Sequence, residues 1–172
     1  MRQDQEHASG LPDHQTVVSL LEKALNQGQN PTLTVISNSM APLLERGDLV
    51  TLSKLNFETL KKGDIITLTQ REALTTHRVV TVTNEEIATK GDCNFLLDEP
   101  ITFSQVIGKV SIITSHQNNI TINLDARKHQ TKLNWIYYLA RTQQILNVKT
   151  RNKIRAISVT FRALRRLILK TI

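Results

Sequence analysis

The stretch TLTVISNSMAPLLERGDLVTLS, residues 32–53, places two apolar runs on either side of a segment that is rich in Ser, Asn and Pro and ends in Gly-Asp. Val, Ile and Thr favour strands, whereas Ser, Asn, Pro and Gly-Asp favour turns. The pattern therefore predicts two short strands joined by a loop. The loop itself, SNSMAPLLERGD at residues 37–48, fits either a surface turn or a loop that presents a serine for chemistry.

The strand-like composition continues from residue 32 to residue 124. Short runs rich in Val, Ile, Thr and Leu are separated by Gly-Asp and Asn pairs, which is typical of a β domain with many short strands. The predicted strands are TLTVIS, DLVTLS, DIITLT, HRVVTVT, VIGKVSII and NITINL. We therefore predict a mainly β fold for this part of the chain.

Helical patterns flank the β region on both sides. Residues 13–28 combine an N-cap candidate, Asp13, with apolar residues at helical spacing and a stop at Gly28. After Asp125, the segments WIYYLARTQQIL and NKIRAISVTFRALRRLILKTI indicate helices. We accordingly predict three units: a leader and amphipathic helix at 1–31, a β domain at 32–124, and a basic helical tail at 125–172.

Charge is distributed unevenly along the 172 residues, whose formal net charge is +7. Residues 1–125 contain 10 basic and 15 acidic side chains, whereas residues 126–172 contain 12 basic and no acidic ones. In the last predicted helix the apolar residues lie on one face, and the opposite face carries the candidate contact residues Arg155, Arg162, Arg165 and Arg166. Three interpretations stay open for this tail: contact with an anionic membrane surface, packing on its own β domain, or contact with a partner protein.

Candidate catalytic groups are few. Histidine is the natural base at neutral pH, and four of the five histidines lie in polar or basic segments typical of the surface: His7, His14, His116 and His129. His77 differs because it opens the run HRVVTVT, where a strand would hold its side chain. The segment KGDCNFLLDEP at 90–100 supplies two carboxylates, Asp92 and Asp98, although a solvated loop is its simplest interpretation.

The order of these blocks carries more information than any one of them. Along the chain come Ser-Met-x-Pro after a strand, Gly-Asp, Lys-Gly-Asp, His-Arg-Val, Lys-Gly-Asp-x-Asn-x-x-x-Asp, and Val-x-Gly-Lys-Val. This order resembles the type I signal peptidase family, which shares a serine-protease superfamily with the LexA-type repressors. The resemblance covers residues 35–112 and implies a complex β fold of many short strands.

The resemblance implies a role for each residue of the Ser-Met box. Ser39 matches the family's nucleophile, and Ser37 matches the serine whose hydroxyl joins the Ser39 backbone amide in an oxyanion hole. Met40 and Pro42 match the residues that shape this box.

The base and its partner match one branch of the family. Bacterial members usually place a lysine where this chain has His77, so the sequence resembles the archaeal and endoplasmic-reticulum branch, which uses Ser and His with an acid. Asp98 matches that acid, and Asp92 matches the accompanying aspartate of the Gly-Asp box. A histidine base needs orientation by a carboxylate rather than a strongly lowered pKa.

The expected function is that of a serine endopeptidase that cleaves leader or signal-type peptides from precursor proteins, without a cofactor. The helix at 13–28 is too short and too polar to replace the family's membrane anchor, so we expect a cytoplasmic protein that is peripheral to the membrane or anchored by a partner protein. The alternative is a non-catalytic basic module on an inactive peptidase fold that binds lipid or, less favoured, nucleic acid.

Overall fold

The structure of the protein, a computed structural model, describes residues 12–117 and 120–126 together with Trp135, Tyr138 and Thr142. Within these residues the named elements are α1 (His14–Asn26), β1 (Thr32–Thr34), β2 (Leu49–Ser53), β3 (Ile65–Gln70), β4 (Ala73–Val82), β5 (Ile87–Lys90), β6 (Val106–Thr114) and β7 (Thr121–Asn123). Two short 3-10 helices, Phe57–Thr59 and Phe103–Gln105, precede β3 and β6. The prediction of a mainly β architecture is confirmed.

Helix α1 forms where the sequence predicts it. The carboxylate of Asp13 accepts a hydrogen bond from the Thr16 backbone N–H at 2.6 Å, which satisfies one of the free donors at the start of the helix. After the helix, Gly28 adopts a φ of +76°, a left-handed conformation that glycine takes without a Cβ clash. Leu21 and Leu25 are buried and join the core of the sheet.

The seven strands form one antiparallel sheet in the order β1-β2-β6-β3-β4-β5, and β7 pairs with the far end of β6. Strand β6 pairs with β2 on one side and with β3 on the other. It therefore joins a half formed by β1 and β2 to a half formed by β3, β4 and β5. Register between β3 and β4 places His77 opposite Ile66, and register between β4 and β5 places Val79 opposite Thr89.

Two apolar clusters stabilise the sheet, because burial of apolar area is the main favourable term in folding. The larger cluster lies between α1, the Ser-Met loop and the central strands, and its buried members are Leu21, Leu25, Met40, Leu43, Leu44, Val50, Leu52, Ile65, Ile107, Val110, Ile113 and Leu124. The smaller cluster comprises Leu60, Ile66, Leu68, Val79, Ile87 and Ile101. Together they fix β2, β3 and β6, from which the loops of the site extend.

The structure corrects two strand boundaries and adds one strand. Strand β4 begins at Ala73 rather than at His77, and β1 ends at Thr34, so that residues 35–37 continue outside the strand. Strand β5, Ile87–Lys90, was not predicted. Its four residues follow a polar turn and contain two apolar side chains, which is too short a run for a period-two signal.

Most of the predicted tail lies outside the described residues, including Arg155, Arg162, Arg165 and Arg166. Trp135, Tyr138 and Thr142 are helical and exposed, in agreement with the helix predicted for WIYYLARTQQIL. In the portion of the chain that the structure describes, no helix has the length and apolar character needed to cross a membrane.

Candidate active site

Three separate segments bring the predicted catalytic residues together. Ser39 lies in the loop that follows β1, His77 lies in the middle of β4, and Asp98 lies in the segment that follows β5. The Ser39 Oγ is 3.0 Å from His77 Nε2. On the other side of the ring, His77 Nδ1 is 2.6 Å from Asp98 Oδ2. A hydroxyl, an imidazole and a carboxylate are thus hydrogen-bonded in series, the arrangement that a nucleophile, a base and an acid require.

The carboxylate of Asp98 is held in its ionised form. Burial alone would raise the pKa of this carboxyl, but hydrogen bonds from His77 and Thr89 and the nearby positive charge of Lys90 hold the pKa below its ordinary value of 3.8. Its Oδ2 accepts from Thr89 Oγ1 at 2.7 Å, and its backbone N–H donates to the Thr89 carbonyl at 3.0 Å. Asp98 is therefore an acceptor at neutral pH.

The ionised acid determines which nitrogen of His77 carries the hydrogen. A carboxylate can only accept, so Nδ1 must donate to Asp98. In the neutral ring the lone pair then lies on Nε2, which accepts from the Ser39 hydroxyl. His77 is buried, with 6% of its surface exposed, so water competes little for these bonds. Nε2 is accordingly placed to take the Ser39 proton.

The loop that carries Ser39 is fixed from two directions. The Ser39 carbonyl accepts from the Cys93 backbone N–H at 2.7 Å, and the Cys93 thiol lies 3.2 Å from the Ala41 carbonyl. On the other flank, the Asn38 side chain accepts from the Arg46 backbone N–H at 2.9 Å. These contacts hold Ser39 on a short, well-defined turn.

Met40 and Pro42, which the sequence predicts to shape the Ser-Met box, lie in the same turn as Ser39. Met40 is 2% exposed in the larger core cluster, and its sulfur accepts from the Asp92 backbone N–H at 3.4 Å. Pro42 is half-buried in the same turn and follows Ala41 through a cis peptide bond. Burial of the thioether next to Ser39 anchors the loop to the interior.

Two hydrogen-bond donors lie next to the Ser39 hydroxyl. The Ser37 hydroxyl is exposed, and its Oγ is 3.3 Å from Ser39 Oγ. The Ser39 backbone N–H has no protein acceptor among the described residues. A hydroxyl and an amide this close to the attacking oxygen can both reach the oxygen of the carbonyl that it attacks.

Asp92 occupies a different place from the one that a catalytic role would require. Its carboxylate forms a bidentate ion pair with Arg78, with Nε to Oδ1 at 2.9 Å and Nη2 to Oδ2 at 2.7 Å. Both side chains are at most 1% exposed. Arg78 also donates to the Gly63 carbonyl at 3.1 Å. Asp92 therefore supports the segment that holds Ser39, and Asp98 alone accepts from His77.

An open cavity of about 460 Å³ contains both Ser39 and His77. One wall is formed by the segment from Leu33 to Ser37, and the facing wall is formed by the first half of β4, from Leu74 to His77. Strands β1 and β4 are separated by three others in the sheet, so the sheet must curve to bring them to the same cavity.

Both walls of the cavity carry strand edges that pair with no further strand among the residues that the structure describes. The Val35 N–H donates to Asp48, and its carbonyl accepts from Gly47, each at 2.8 Å, on the β2 side. Because backbone groups alternate along an extended chain, those of Thr34 point toward the cavity. Strand β5 pairs with Arg78–Val82, which leaves the edge of β4 before Arg78 unpaired on that side.

Reasoning from sequence missed the residues that support the triad. Arg78 follows His77 directly, and Thr89 precedes the Lys-Gly-Asp block, but neither belongs to a recognisable spacing for catalysis. A buried charge in a strand can be suspected only once its burial is known. His14, expected at the surface, is half-buried and lies 2.8 Å from Thr69 Oγ1.

Comparison with protein-family models and with curated proteins found no match to this chain.

Proposed function

We propose that the protein is a serine endopeptidase in which Ser39 is the nucleophile, His77 the general base and Asp98 the residue that orients the base. The observation that carries the proposal is the series of two hydrogen bonds, Ser39 Oγ to His77 Nε2 at 3.0 Å and His77 Nδ1 to Asp98 Oδ2 at 2.6 Å. The fold proposed with it is the signal-peptidase-like β fold in its Ser-His form.

The geometry supports an acyl-transfer mechanism. His77 Nε2 takes the Ser39 proton as Ser39 Oγ attacks the scissile carbonyl carbon. The tetrahedral oxyanion receives hydrogen bonds from the Ser37 hydroxyl and the Ser39 amide. The imidazolium then protonates the leaving amine, which leaves an ester on Ser39. Water, deprotonated by His77, attacks that ester and releases the new carboxyl terminus.

The two open strand edges support an extended peptide as the substrate. A chain lying between β1 and the first half of β4 can form backbone hydrogen bonds to both walls, as in binding by strand addition. Alternate side chains of such a peptide would point into the cavity, whose wall includes Leu33, Val35 and Leu74. The proposed substrates are leader or signal-type segments of precursor proteins.

A fluorophosphonate probe, which phosphonylates activated serines, tests the mechanism. We expect labelling of the wild-type protein, and a loss of about 10³-fold or more in labelling rate in Ser39→Ala and His77→Ala, because residues of a triad act as a unit. Ser19→Ala, on the exposed side of α1, is the matched control and should label normally. A folded wild-type protein that resists labelling would favour the non-catalytic binding module instead.

A comparison of cells that express the wild-type protein with cells that express Ser39→Ala tests the substrate class. Mass spectrometry of new amino termini should find precursor leaders removed only in the wild-type cells. Unchanged termini in both would contradict peptide maturation by this protein, whatever the outcome of probe labelling.

We propose in addition that the basic segment 126–172 contacts an anionic membrane surface. Its 12 basic and no acidic side chains support this, since each cation near such a surface contributes up to about 1 kcal/mol. Cosedimentation with phosphatidylserine-containing vesicles should fall when Arg155, Arg162, Arg165 and Arg166 are all changed to Ser. Vesicles of phosphatidylcholine alone are the control, and equal binding by both proteins would remove the tail from this role.

A further inference from the structure

Thr89 is a buried polar residue that lies next to apolar residues of the smaller core cluster. It lies in β5 and is fully buried, with 0% of its surface exposed. A buried hydroxyl without a partner is costly, so its hydrogen bonds show what the position requires. The side chains of its neighbours Val79 and Ile87, in the smaller core cluster, are apolar and offer no hydrogen-bond partner.

The Thr89 hydroxyl is hydrogen-bonded to the carboxylate of Asp98. Its Oγ1 donates to Asp98 Oδ2 at 2.7 Å, which is the same oxygen that accepts from His77 Nδ1 at 2.6 Å. The Thr89 carbonyl also accepts from the Asp98 backbone N–H at 3.0 Å. Residue 89 therefore holds residue 98 by its backbone and by its side chain.

The register of the sheet links these contacts to the base. Thr89 lies opposite Val79 in β4, two residues beyond His77. The acid is thus attached to the strand that neighbours the strand of the base. Asp98 itself lies in a segment outside the strands, where His77 is the other hydrogen-bond donor to its carboxylate among the described residues.

We propose that Thr89 is a positioning residue for the serine peptidase described above: its hydroxyl fixes the Asp98 oxygen that faces His77 Nδ1. This inference rests on the proposed function. Without the hydroxyl, Oδ2 loses one of its two donors, and the carboxylate can rotate about its Cβ–Cγ bond. The imidazole then loses part of the restraint that aims Nε2 at Ser39.

The test compares Thr89→Val, which keeps shape and removes the hydroxyl, with Thr89→Ser, which keeps the hydroxyl. We expect the rate of fluorophosphonate labelling to fall about 10- to 100-fold in Thr89→Val, the range for a lost hydrogen bond to a charged group. Thr89→Ser should recover most of the rate. The control is Thr69→Val in β3, which removes a hydroxyl that is hydrogen-bonded to the ring of His14 in α1. This variant should label as the wild type does.

Proton NMR supplies a readout that needs no reaction. The proton shared by His77 Nδ1 and Asp98 should resonate far downfield, because the bond is short and charge-assisted, and it should disappear in Asp98→Asn. In Thr89→Val it should move upfield or broaden, whereas Thr69→Val and Thr89→Ser should retain it. If Thr89→Val does not fold, Thr89→Ala serves with the same expectation.

The outcomes separate the two proposals. A labelled wild type with an unchanged rate and an unchanged resonance in Thr89→Val would overturn the role of Thr89 and leave the peptidase intact. An unlabelled wild type whose resonance still responds to Thr89→Val would overturn the peptidase and leave the positioning of Asp98 by Thr89 supported. Loss of stability in Thr89→Val at an unchanged labelling rate would reduce Thr89 to a structural residue.

Discussion

Gly91 lies so close to the base that a side chain there would displace it. A Cβ added at this residue would be 2.9 Å from His77 Nε2 and 2.8 Å from the Asn94 side-chain nitrogen. The amide of Asn94 can move away, whereas the ring of His77 is held by Asp98. The absence of a Cβ at residue 91 is therefore a condition for the observed ring position.

We expect Gly91→Ala to slow probe labelling by about 10-fold or more, because a small misplacement of the base is costly to catalysis. Gly28→Ala is the informative control. Its added Cβ would meet no atom within 4 Å, but its φ of +76° makes alanine strained there. That variant should lower the melting temperature and label normally, and the reverse result for the two glycines would contradict our account of Gly91.

The ionisation of Asp98 predicts how its contribution to stability depends on pH. Its pKa in the folded protein lies below the ordinary 3.8, so the folded state favours the carboxylate. The stability that it contributes is therefore fully present above about pH 4 and is lost as the pH falls through the folded pKa. Urea unfolding should show a larger difference between wild type and Asp98→Asn at pH 5 than at pH 3. An equal difference at both pH values would contradict this.

At this scale the sequence predicted the groups that meet in the candidate site but not the residues that support them. Ser39, His77 and Asp98, which the structure brings together, could be proposed because the family resemblance specifies both their type and their order. Thr89 and Arg78 could not, since their importance comes from burial and from partners far away in sequence. Asp92 shows the same limit, because its Lys-Gly-Asp block could be recognised in the sequence but its partner Arg78 could not.

Among the elements, β4 and the segment after β5 are joined by the buried ion pair of Arg78 and Asp92. The same segment donates from Cys93 to the Ser39 carbonyl and from Asp92 to the Met40 sulfur. The ion pair thus joins β4, which carries His77, to a segment that is itself hydrogen-bonded to the Ser39 loop. Loss of either partner leaves a buried charge uncompensated.

We expect Asp92→Asn to lower the free energy of unfolding by about 3–5 kcal/mol, as for other broken buried pairs. Urea denaturation monitored by circular dichroism measures this. The matched control is Glu99→Gln, which breaks the pair with Arg71 at side chains that are 64% and 74% exposed. That change should cost less than about 1 kcal/mol, and similar costs for the two variants would refute the structural role of Asp92.

The predicted elements were right where their patterns were long. Helix α1 could be located by its cap and its apolar spacing, and the strands β2, β3 and β6 by their runs of β-formers. Strand β5 could not, because its run is too short. The first half of β4 could not, because Thr75 and Thr76 are polar and line the cavity rather than the core. A strand wall that faces a cavity lacks the apolar alternation of a strand that faces a core.

For the whole molecule, α1 and the sheet share one core rather than forming separate units. Leu25 is 3% exposed and belongs to the larger cluster, with Leu52 of β2 and Val110 of β6. A Cβ added to Gly108 in β6 would lie 3.2 Å from the Leu25 side chain. The helix therefore covers the central strand directly.

We expect Leu25→Ala to lower the free energy of unfolding by about 2–5 kcal/mol, the range for a buried leucine, with helix and sheet still unfolding in one transition. Leu20→Ala, in the same helix but 59% exposed, should change it by less than about 0.5 kcal/mol. Circular dichroism and amide hydrogen exchange can follow the unfolding of both variants. Separate transitions for helix and sheet would contradict a shared core.

The place of β6 has a consequence for the protein during its own synthesis. The ribosome completes Ser39, His77 and Asp98 before β6, yet β6 is the strand that pairs with both β2 and β3. Until it emerges, no strand pairing joins β1 and β2, which flank the Ser39 loop, to β3, β4 and β5. We therefore expect the proposed peptidase to gain its reactivity only when β6, its last long strand, has been inserted.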